Sequence, residues 1–380
     1  MSGELGSTGG RTEHWELAAW PEPSSQGARK RLLLPTWWPG RPACPDPAGF
    51  AGVASAILAD LHLSAGTSGW RVQRVGTTST SSTIVTVGPG DRPRAVIKLP
   101  HTPAAVHAME RERAVLDRLH GDLDGPPLRS LVPTLLVSGE TSGQPYAVYH
   151  HLPGIPASMA GGSPQWDHRV LARAASTLAV LHRLGRQTCD VTEATFDLWV
   201  ERPAELVRRV LYRRPPGCRY TRALARLVDD LRAELVGTKL SLGWVHGDLW
   251  LGNVLVDPGD ASITGIVDWD KAEPAGLAVL DVLHLLLFTR SLAGGQDLGG
   301  VVRATMLGAP WSGDEERLLA LGAPLVGDSR LSDRCVLALY WLLQASREIA
   351  RRDDGDRRAD QRLGSFLWER RNLDPVLSLW

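Results

Sequence analysis

The segment Trp244–Asp270 constrains this chain more than any other stretch, because apolar runs alternate there with polar residues at fixed positions. Its two apolar runs, Val254–Val256 and Ile263–Val267, have the length and β-branched content of short strands, and the Pro, Gly and Asp between them predict a turn. Asn253 comes directly before the first run and Asp268 directly after the second. Hairpin strands run in opposite directions, so Asn253 and Asp268 should meet at one end. Their amide and carboxylate oxygens are hard ligands that suit Mg²⁺.

Asp248 lies five residues before Asn253 and directly follows His246 and Gly247. This H-x-D-x-x-x-x-N order, followed by a strand that ends in Asp, resembles the catalytic loop and metal-binding segment of the kinase superfamily. The middle glycine resembles the branch that phosphorylates small molecules, which holds the aminoglycoside phosphotransferases and the choline, homoserine and methylthioribose kinases. The resemblance implies an α+β, two-lobed protein kinase-like fold, with a small N-terminal β-sheet lobe carrying one helix and a larger, mainly helical C-terminal lobe.

The resemblance also implies a role for each residue of this block. Asp248 would accept or orient the proton of the acceptor hydroxyl, while Asn253 and Asp268 would hold Mg²⁺ beside ATP. His246 belongs to the same catalytic loop, and we favour a role in holding the loop by hydrogen bonds over a chemical one. Asp281, in the run LAVLDVLHLL, resembles the aspartate that supports this loop from the start of a helix. The alternative for Asp281 is an exposed helix acid.

Three segments follow from composition and resemblance together. Residues 1–50 are rich in Gly, Ser, Pro and charge without periodicity, which predicts a disordered or loosely docked tail. Residues 51–152 would form the N-terminal nucleotide-binding lobe. Residues 153–380 would form the C-terminal catalytic and acceptor-binding lobe.

Lys98 lies in an apolar, strand-like run and resembles the lysine that contacts the α- and β-phosphates of ATP. A lysine in such a run loses hydration, so it should have an acidic partner. The next helix, which should begin at Thr102 and Pro103, offers Glu110 and Glu112. The R-E-x-x-x-L pattern around Glu112 resembles that of small-molecule kinases and favours this residue, and Glu110 remains open.

Thr77, Thr78 and Ser79 lie in a link of small residues between the first two predicted strands. In kinase-like folds such a link covers the ATP phosphates, because small side chains let backbone N–H groups approach phosphate oxygens. The link has neither the G-x-G-x-x-G pattern nor a Walker A pattern. On its own it reads as a Ser/Thr-rich hairpin turn.

Val148, Tyr149 and His150 end a strand that, by the same resemblance, leads into the linker between the lobes. Backbone groups of this linker meet adenine in the resembling proteins, so we expect the three residues to take part in nucleotide binding. His150 and His151 are adjacent and would point to opposite faces of a strand, which argues against a shared metal ion.

Four residues near the catalytic block are candidates for contact with the acceptor. The rings of Trp250 and Trp269 would stack on a sugar or a cationic group, and Asp270 and Glu273 would face an amino or hydroxyl group. Packing into the wall of the site is an equal alternative for each of the four.

Composition excludes several classes of protein. The 380 residues carry 42 Lys+Arg and 42 Asp+Glu, so no basic excess points to nucleic acid or to an anionic membrane. The four cysteines lack the spacing of a zinc site or a disulfide framework. No signal-like N-terminus or membrane-spanning apolar stretch is visible. An enzyme that uses ATP in the cytoplasm is the expectation, and the oligomeric state stays open.

The predicted reaction is transfer of the ATP γ-phosphoryl group, with Mg²⁺, to a hydroxyl of a small molecule. A sugar, amino sugar or aminoglycoside is favoured as the acceptor. One alternative is a choline- or homoserine-type metabolite kinase, for which an aromatic or acidic cage would be needed. An alternative of another class is a non-catalytic nucleotide-binding protein on the same fold, which would be expected to have lost one of the motif residues.

Overall fold

Alternation of buried and exposed side chains in the N-terminal part of the chain produces a sheet of five antiparallel strands. The computed structural model describes residues 69–380 apart from 79–80, 124–125, 142, 161–163, 215–218, 323–330 and 354–366, together with 53, 54, 56, 57 and 59. The predicted tail, 1–50, and Ser79 therefore lie outside the described residues. The strands are β1 (Trp70–Thr77), β2 (Ser82–Pro89), β3 (Ala95–Pro100), β4 (Leu135–Thr141) and β5 (Gln144–His150).

The order of these strands is β1-β2-β3-β5-β4, so β3 lies at the centre of the sheet. One face of the sheet is apolar, and Val85, Val87 and Ile97 are fully buried there with Ala54 and Ile57 from the helical residues before the sheet. Burial of such side chains contributes about 1.5–3 kcal/mol each.

The helix α1 (Pro103–Asp122) follows β3 directly and begins where the sequence predicts. The Thr102 hydroxyl accepts a hydrogen bond from the Ala105 N–H at 3.1 Å, and Pro103 opens the first turn. The buried face of α1 is a stripe of five residues at helical spacing, four of them apolar and one of them a glutamate. They are Ala105, Met109, Glu112, Leu116 and Leu119.

The rest of the chain is mainly helical. Its helices are α2 (Pro126–Arg129), α3 (Ala157–Ala160), α4 (Pro164–Leu181), α5 (Glu193–Phe196), a π-helical turn (Asp197–Glu201), α6 (Arg202–Tyr212), α7 (Arg219–Leu235), α8 (Ala278–Gly294), α9 (Leu298–Met306), α10 (Gly313–Gly322), α11 (Asp333–Asp353) and α12 (Asp374–Leu377). In the longer of these helices, apolar residues recur on one face and pack into common apolar clusters.

Two small antiparallel sheets lie among these helices. The first has the order β10-β9-β6, with β6 (Ile155–Pro156), β9 (Val254–Val256) and β10 (Ile263–Ile266). The second has the order β11-β8-β7, with β7 (Gln187–Asp190), β8 (Lys239–Val245) and β11 (Glu273–Gly276). His246 directly follows Val245, the last residue of β8, so the second sheet fixes the point at which the H-x-D loop begins.

The fully buried Trp244 ties β8 to the N-terminal part of the chain. Its indole Nε1–H donates to Asp122 Oδ2, at the end of α1, at 2.8 Å. The fold is thus the expected α+β arrangement, an N-terminal antiparallel sheet with one long helix followed by a mainly helical part. Among the described residues no single helix is long and apolar enough to cross a membrane. The helices α8 and α9 reach the required length and hydropathy only when taken together, and the chain bends by 114° between them.

The cap of α1 gives a test of this account. Thr102→Ala should lower the free energy of unfolding by about 1 kcal/mol, because the Ala105 N–H loses its acceptor. Thr102→Ser keeps the hydroxyl and should retain most of the stability. Guanidinium chloride unfolding of the three proteins measures the difference, and equal midpoints for Thr102→Ala and wild type would contradict it.

Candidate active site

The hairpin β9–β10 brings the two predicted metal-binding residues to the same end. Val254 pairs with Ile266, and the Val267 N–H donates to the Asn253 carbonyl at 2.9 Å. Asn253 therefore enters the hairpin beside the point where Asp268 leaves it, as the spacing predicts. Asp268 has a φ of 68°, a left-handed conformation that aspartate tolerates better than most residues.

The backbone of the loop His246–Asp248 is held by the carboxylate of a single residue, Asp281. Asp281 Oδ2 accepts the His246 N–H at 2.6 Å, and its Oδ1 accepts the Gly247 N–H at 2.8 Å. His182 Nε2 lies 3.2 Å from the same Oδ2. Burial favours a higher pKa for Asp281, but the hydrogen bonds and charges of His182 and His246 together outweigh burial and lower the pKa. Asp281 is buried, so the alternative of an exposed helix acid is wrong.

His246 uses both ring nitrogens inside the protein. Its Nδ1 accepts the Asp248 N–H at 3.3 Å, so the proton of the neutral ring resides on Nε2, which donates to the Val267 carbonyl at 3.0 Å. Burial lowers the pKa of His246 and keeps the ring neutral. His246 thus links the loop to the end of the hairpin, and its ring has no nitrogen left for the reaction.

Lys98 forms the buried ion pair that its apolar strand requires. Its Nζ lies 2.8 Å from Glu112 Oε2 and 3.5 Å from Asp268 Oδ1. Burial alone would lower the pKa of Lys98, but the charges of Glu112 and Asp268 outweigh burial and raise it. Glu112 lies on the buried stripe of α1 and Glu110 is exposed, so Lys98 pairs with the favoured glutamate.

Glu112 also receives donors from two other segments. Tyr149 donates its hydroxyl to Oε2 at 3.4 Å, and the Trp269 N–H donates to Oε1 at 3.2 Å. This glutamate therefore joins α1, the end of β5 and the residue after Asp268. A buried carboxylate with this many donors is compensated, as the cost of burying a charge requires.

Asp248 lies between two cationic or potentially cationic side chains. Lys271 Nζ donates to its Oδ2 at 2.7 Å, and His284 Nε2 lies 3.2 Å from its Oδ1. Burial would raise the pKa of Asp248, but His284 and Lys271 outweigh it and hold the pKa well below its usual range. The Asp248 carboxylate is thus ionised and still partly accessible, with 23% of its side chain exposed.

The link between β1 and β2 is closed by Thr78. Its N–H donates to the Ser82 carbonyl at 2.8 Å, and its hydroxyl accepts the Ser82 N–H at 3.1 Å. Thr77 ends β1 and is exposed. The hairpin itself is therefore as the sequence predicts, and contact of Thr77 and Thr78 with phosphate stays a prediction.

The residues expected at the start of the linker lie in the N-terminal sheet. Val148 and Tyr149 lie in β5, which pairs with β3 on one side and with β4 on the other. The His150 N–H donates to the Thr134 carbonyl at 2.8 Å. These backbone groups take part in the sheet, and the Tyr149 side chain turns to Glu112. Contact of Val148, Tyr149 and His150 with a nucleotide stays a prediction.

The two tryptophans proposed for the acceptor differ in position. Trp269 is 1% exposed, its Nε1–H donates to the Ile266 carbonyl at 2.7 Å, and its ring lies 4.6 Å from that of His246. Packing into the wall therefore describes Trp269, and stacking on an acceptor does not. Trp250 is only half-buried, and its ring meets that of Phe288 edge-on at 5.2 Å.

The two acidic candidates also differ. Asp270 is buried, and burial raises its pKa to about 6, with Lys271 Nζ 3.9 Å from its Oδ1. Glu273 is exposed at a cavity of about 180 Å³, which Gly247 and Arg347 also line. Arg347 Nη2 lies 4.0 Å from Glu273 Oε1. Glu273 can face a small molecule from this position, whereas Asp270 faces the interior.

Sequence reasoning missed three residues of the site, namely Lys271, His284 and Arg347. Arg347 donates to the Gly247 carbonyl at 2.6 Å from α11, a contact that no local pattern indicates. Lys271 is one of only four lysines in the chain, and His284 follows Asp281 by one helical turn in an apolar run. The scarcity of lysine and the position of His284 could therefore have drawn attention to these two residues, although neither feature indicates Asp248 as the partner.

The chemistry of the donor set fits Mg²⁺. Asn253 Nδ2 donates to the Asp248 carbonyl at 2.9 Å, which leaves the amide oxygen Oδ1 as a ligand beside the Asp268 carboxylate. Within the described ranges no group of three or more His, Cys, Asp or Glu side chains could hold a metal ion by itself. Two oxygen ligands suit a Mg²⁺ that keeps waters and shares phosphate oxygens.

Comparison with known proteins identifies the family of the chain. A model of the phosphotransferase enzyme family, APH, matches residues 73–318, which span every predicted site residue from Thr77 to Asp281. No curated protein matches the chain by sequence.

Solved structures agree on the fold. Macrolide 2'-phosphotransferase type I is similar with a TM-score of 0.51 at 18% identity, over 82% of this chain and 96% of that chain. The GDP complex of wild-type aminoglycoside 2'-phosphotransferase-IIIa has a TM-score of 0.51 at 14% identity, over 85% and 97% of the two chains. A thermostable mutant of aminoglycoside phosphotransferase APH(4)-Ia has a TM-score of 0.50 at 15% identity, over 81% and 95%.

At these identities the structures establish the fold alone, which is protein kinase-like as the motifs predict. The family model rests on sequence and covers well over half of the chain, including the loop at Asp248 and the hairpin that ends at Asp268. The chain therefore belongs to the phosphotransferase enzyme family.

Proposed function

We propose that this protein transfers the γ-phosphoryl group of ATP to a hydroxyl of a small molecule, with a sugar, amino sugar or aminoglycoside as the acceptor. The observation that carries the proposal is the meeting of two charged groups at the end of one hairpin. Lys98 and Asp268 lie 3.5 Å apart there, and the Asp248 backbone carbonyl accepts the amide of Asn253. These are the parts that phosphoryl transfer requires, a cation for phosphate, ligands for a metal and a carboxylate for the hydroxyl.

Each residue would act on a different part of the reaction. Lys98, oriented by Glu112, would bind phosphate oxygens of the nucleotide, and Asp268 with Asn253 would hold Mg²⁺. When bound, Mg²⁺ supplies positive charge that stabilises the charge developing on the phosphate oxygens. Asp248 would orient the acceptor hydroxyl and receive its proton as the new O–P bond forms. Its low pKa favours an orienting role over strong proton abstraction, as suits a loose transition state.

Aromatic side chains favour one kind of acceptor within this class. Trp250, two residues after Asp248 in the chain, meets Phe288 edge-on and offers an aromatic surface, which supports a ring-shaped acceptor such as a sugar. A cationic cage for choline would use both Trp250 and Trp269. Because Trp269 is buried, only Trp250 is left for such a cage, which favours a sugar over choline. A cytoplasmic location, where ATP and Mg²⁺ are abundant, is part of the proposal.

The direct test is ADP release from Mg·ATP across a panel of aminoglycosides, amino sugars, neutral sugars, choline and homoserine. Asp248→Asn should lower kcat for the active acceptor about 10²- to 10⁴-fold, because the hydroxyl loses the carboxylate that orients it and receives its proton. Affinity for Mg·ATP, measured by calorimetry, should stay within about twofold of wild type. Asp117→Asn, on the exposed face of α1, is the matched control. Undiminished turnover in Asp248→Asn would refute the mechanism.

A second prediction concerns the metal. Asp268→Ala should remove most of the difference between nucleotide affinity with Mg²⁺ and with EDTA, because the metal loses its one carboxylate ligand. Titration of ATP into wild type and variant under both conditions measures the difference. An Mg²⁺ dependence equal to that of wild type would show that Asp268 is not a ligand.

A third prediction separates the two glutamates of α1. Glu112→Gln removes the close partner of buried Lys98 and should lower the free energy of unfolding by about 3 kcal/mol. It should also raise KM for ATP, because the lysine loses its orientation. Glu110→Gln, on the exposed face, should change neither quantity. Thermal unfolding and initial rates of both variants measure the two effects. Similar effects of the two substitutions would count against Glu112 as the specific partner of Lys98.

A further inference from the structure

The helix α8 contacts the catalytic loop at two points. Asp281 binds the loop backbone, and His284, one turn later, presents Nε2 to Asp248 Oδ1 at 3.2 Å. The other carboxylate oxygen of Asp248, Oδ2, accepts a hydrogen bond from Lys271 Nζ at 2.7 Å. The two oxygens of Asp248 are thus approached by side chains from different elements, one of them a rigid helix.

His284 is itself fixed from a second helix. Its Nδ1 lies 3.0 Å from the Tyr340 hydroxyl, on α11, and both side chains are buried. When the Tyr340 O–H donates to Nδ1, the ring proton resides on Nε2, which faces Asp248. The ring of Phe288 lies 5.2 Å from that of His284 and restricts its rotation.

The Nε2 atom of His284 is buried without an aligned hydrogen-bond partner among the described residues, although Asp248 Oδ1 is within ion-pair distance. A buried polar atom left in this state costs about 1–3 kcal/mol. The terminal torsion of aspartate has a broad minimum, so the Asp248 carboxylate can turn beside His284 at little cost.

We propose that His284, held by Tyr340, is a positioning residue that sets the orientation of the Asp248 carboxylate for the acceptor hydroxyl. Lys271 cannot do this alone, because its long side chain is 29% exposed and its charge would also attract the phosphate groups of the nucleotide. Because His284 contacts Oδ1, the Asp248 carboxylate would keep its orientation even when Lys271 turns from Asp248 towards a phosphate group. This inference rests on the proposed function, since Asp248 must act on a hydroxyl.

The first experiment needs no turnover. In the full chain labelled with ¹⁵N-histidine, with the His284 signals assigned by their loss in His284→Gln, we expect the Nε2 shift to change in Asp248→Asn and in Tyr340→Phe. It should not change in Glu273→Gln, which alters a nearby but exposed carboxylate. An Nε2 shift that is indifferent to Asp248→Asn would overturn the proposal, whether or not any acceptor is phosphorylated.

The second experiment separates positioning from packing. Tyr340→Phe removes one oxygen and should lower kcat about tenfold, and His284→Gln about 10- to 100-fold, with KM for ATP unchanged within about twofold. The double variant should be no slower than His284→Gln, because Tyr340 acts through His284. Tyr146→Phe, which removes a hydroxyl from the N-terminal sheet, should retain wild-type kcat.

The outcomes are distinct. Wild-type kcat in folded Tyr340→Phe and His284→Gln, or losses that multiply in the double variant, would overturn the positioning role while leaving the phosphotransferase intact. Absence of transfer to any acceptor by wild type would instead count against the proposed function, and the histidine spectra would still decide whether His284 is coupled to Asp248.

Discussion

The two hydrogen bonds from His246 and Gly247 to the Asp281 carboxylate are the interaction on which the rest of the site depends. Hydrogen bonds to a charged acceptor contribute about 1.5–3 kcal/mol each, and these two are buried. They fix the loop to the first turn of α8, so the position of Asp248 depends on where that helix begins. The buried charge is in turn compensated by His182, which lies just beyond the end of α4.

The same pattern of shared carboxylates recurs at the other half of the site. Glu112 receives Lys98, the Tyr149 hydroxyl and the Trp269 N–H, and so joins the sheet, α1 and the chain after Asp268. Each buried acid thus holds together segments that are distant in sequence. Such networks are strong when every member is satisfied, and loss of one member leaves an unpaired charge in a medium of low polarity.

Local patterns in the sequence predict a large part of this architecture. The hairpin at β9–β10 and the start of α1 follow from turn residues and a capping threonine, and both are present. The buried stripe of α1 also contains Glu112 and not Glu110, so helical periodicity could have decided between the two glutamates.

The rest depends on partners that a local pattern does not contain. Whether the backbone of Val148 is available depends on strands β3 and β4, which pair with it from distant positions in sequence. The inward turn of Trp269 and the contacts of Asp248 with Lys271 and His284 likewise arise only when the hairpin packs against α1 and α8. These are nonlocal contacts, and the signals that the sequence does contain at Lys271 and His284 do not indicate the partner.

Gly247 has a φ of 78°, and a Cβ atom there would lie 2.2 Å from the Lys271 carbonyl oxygen. No larger residue fits without displacing the chain that carries Asp268 and Lys271. The loop therefore has no side chain at this position that could respond to a modification elsewhere on the protein. Under the proposed function, position 247 would give the loop no means of control by a charged modification.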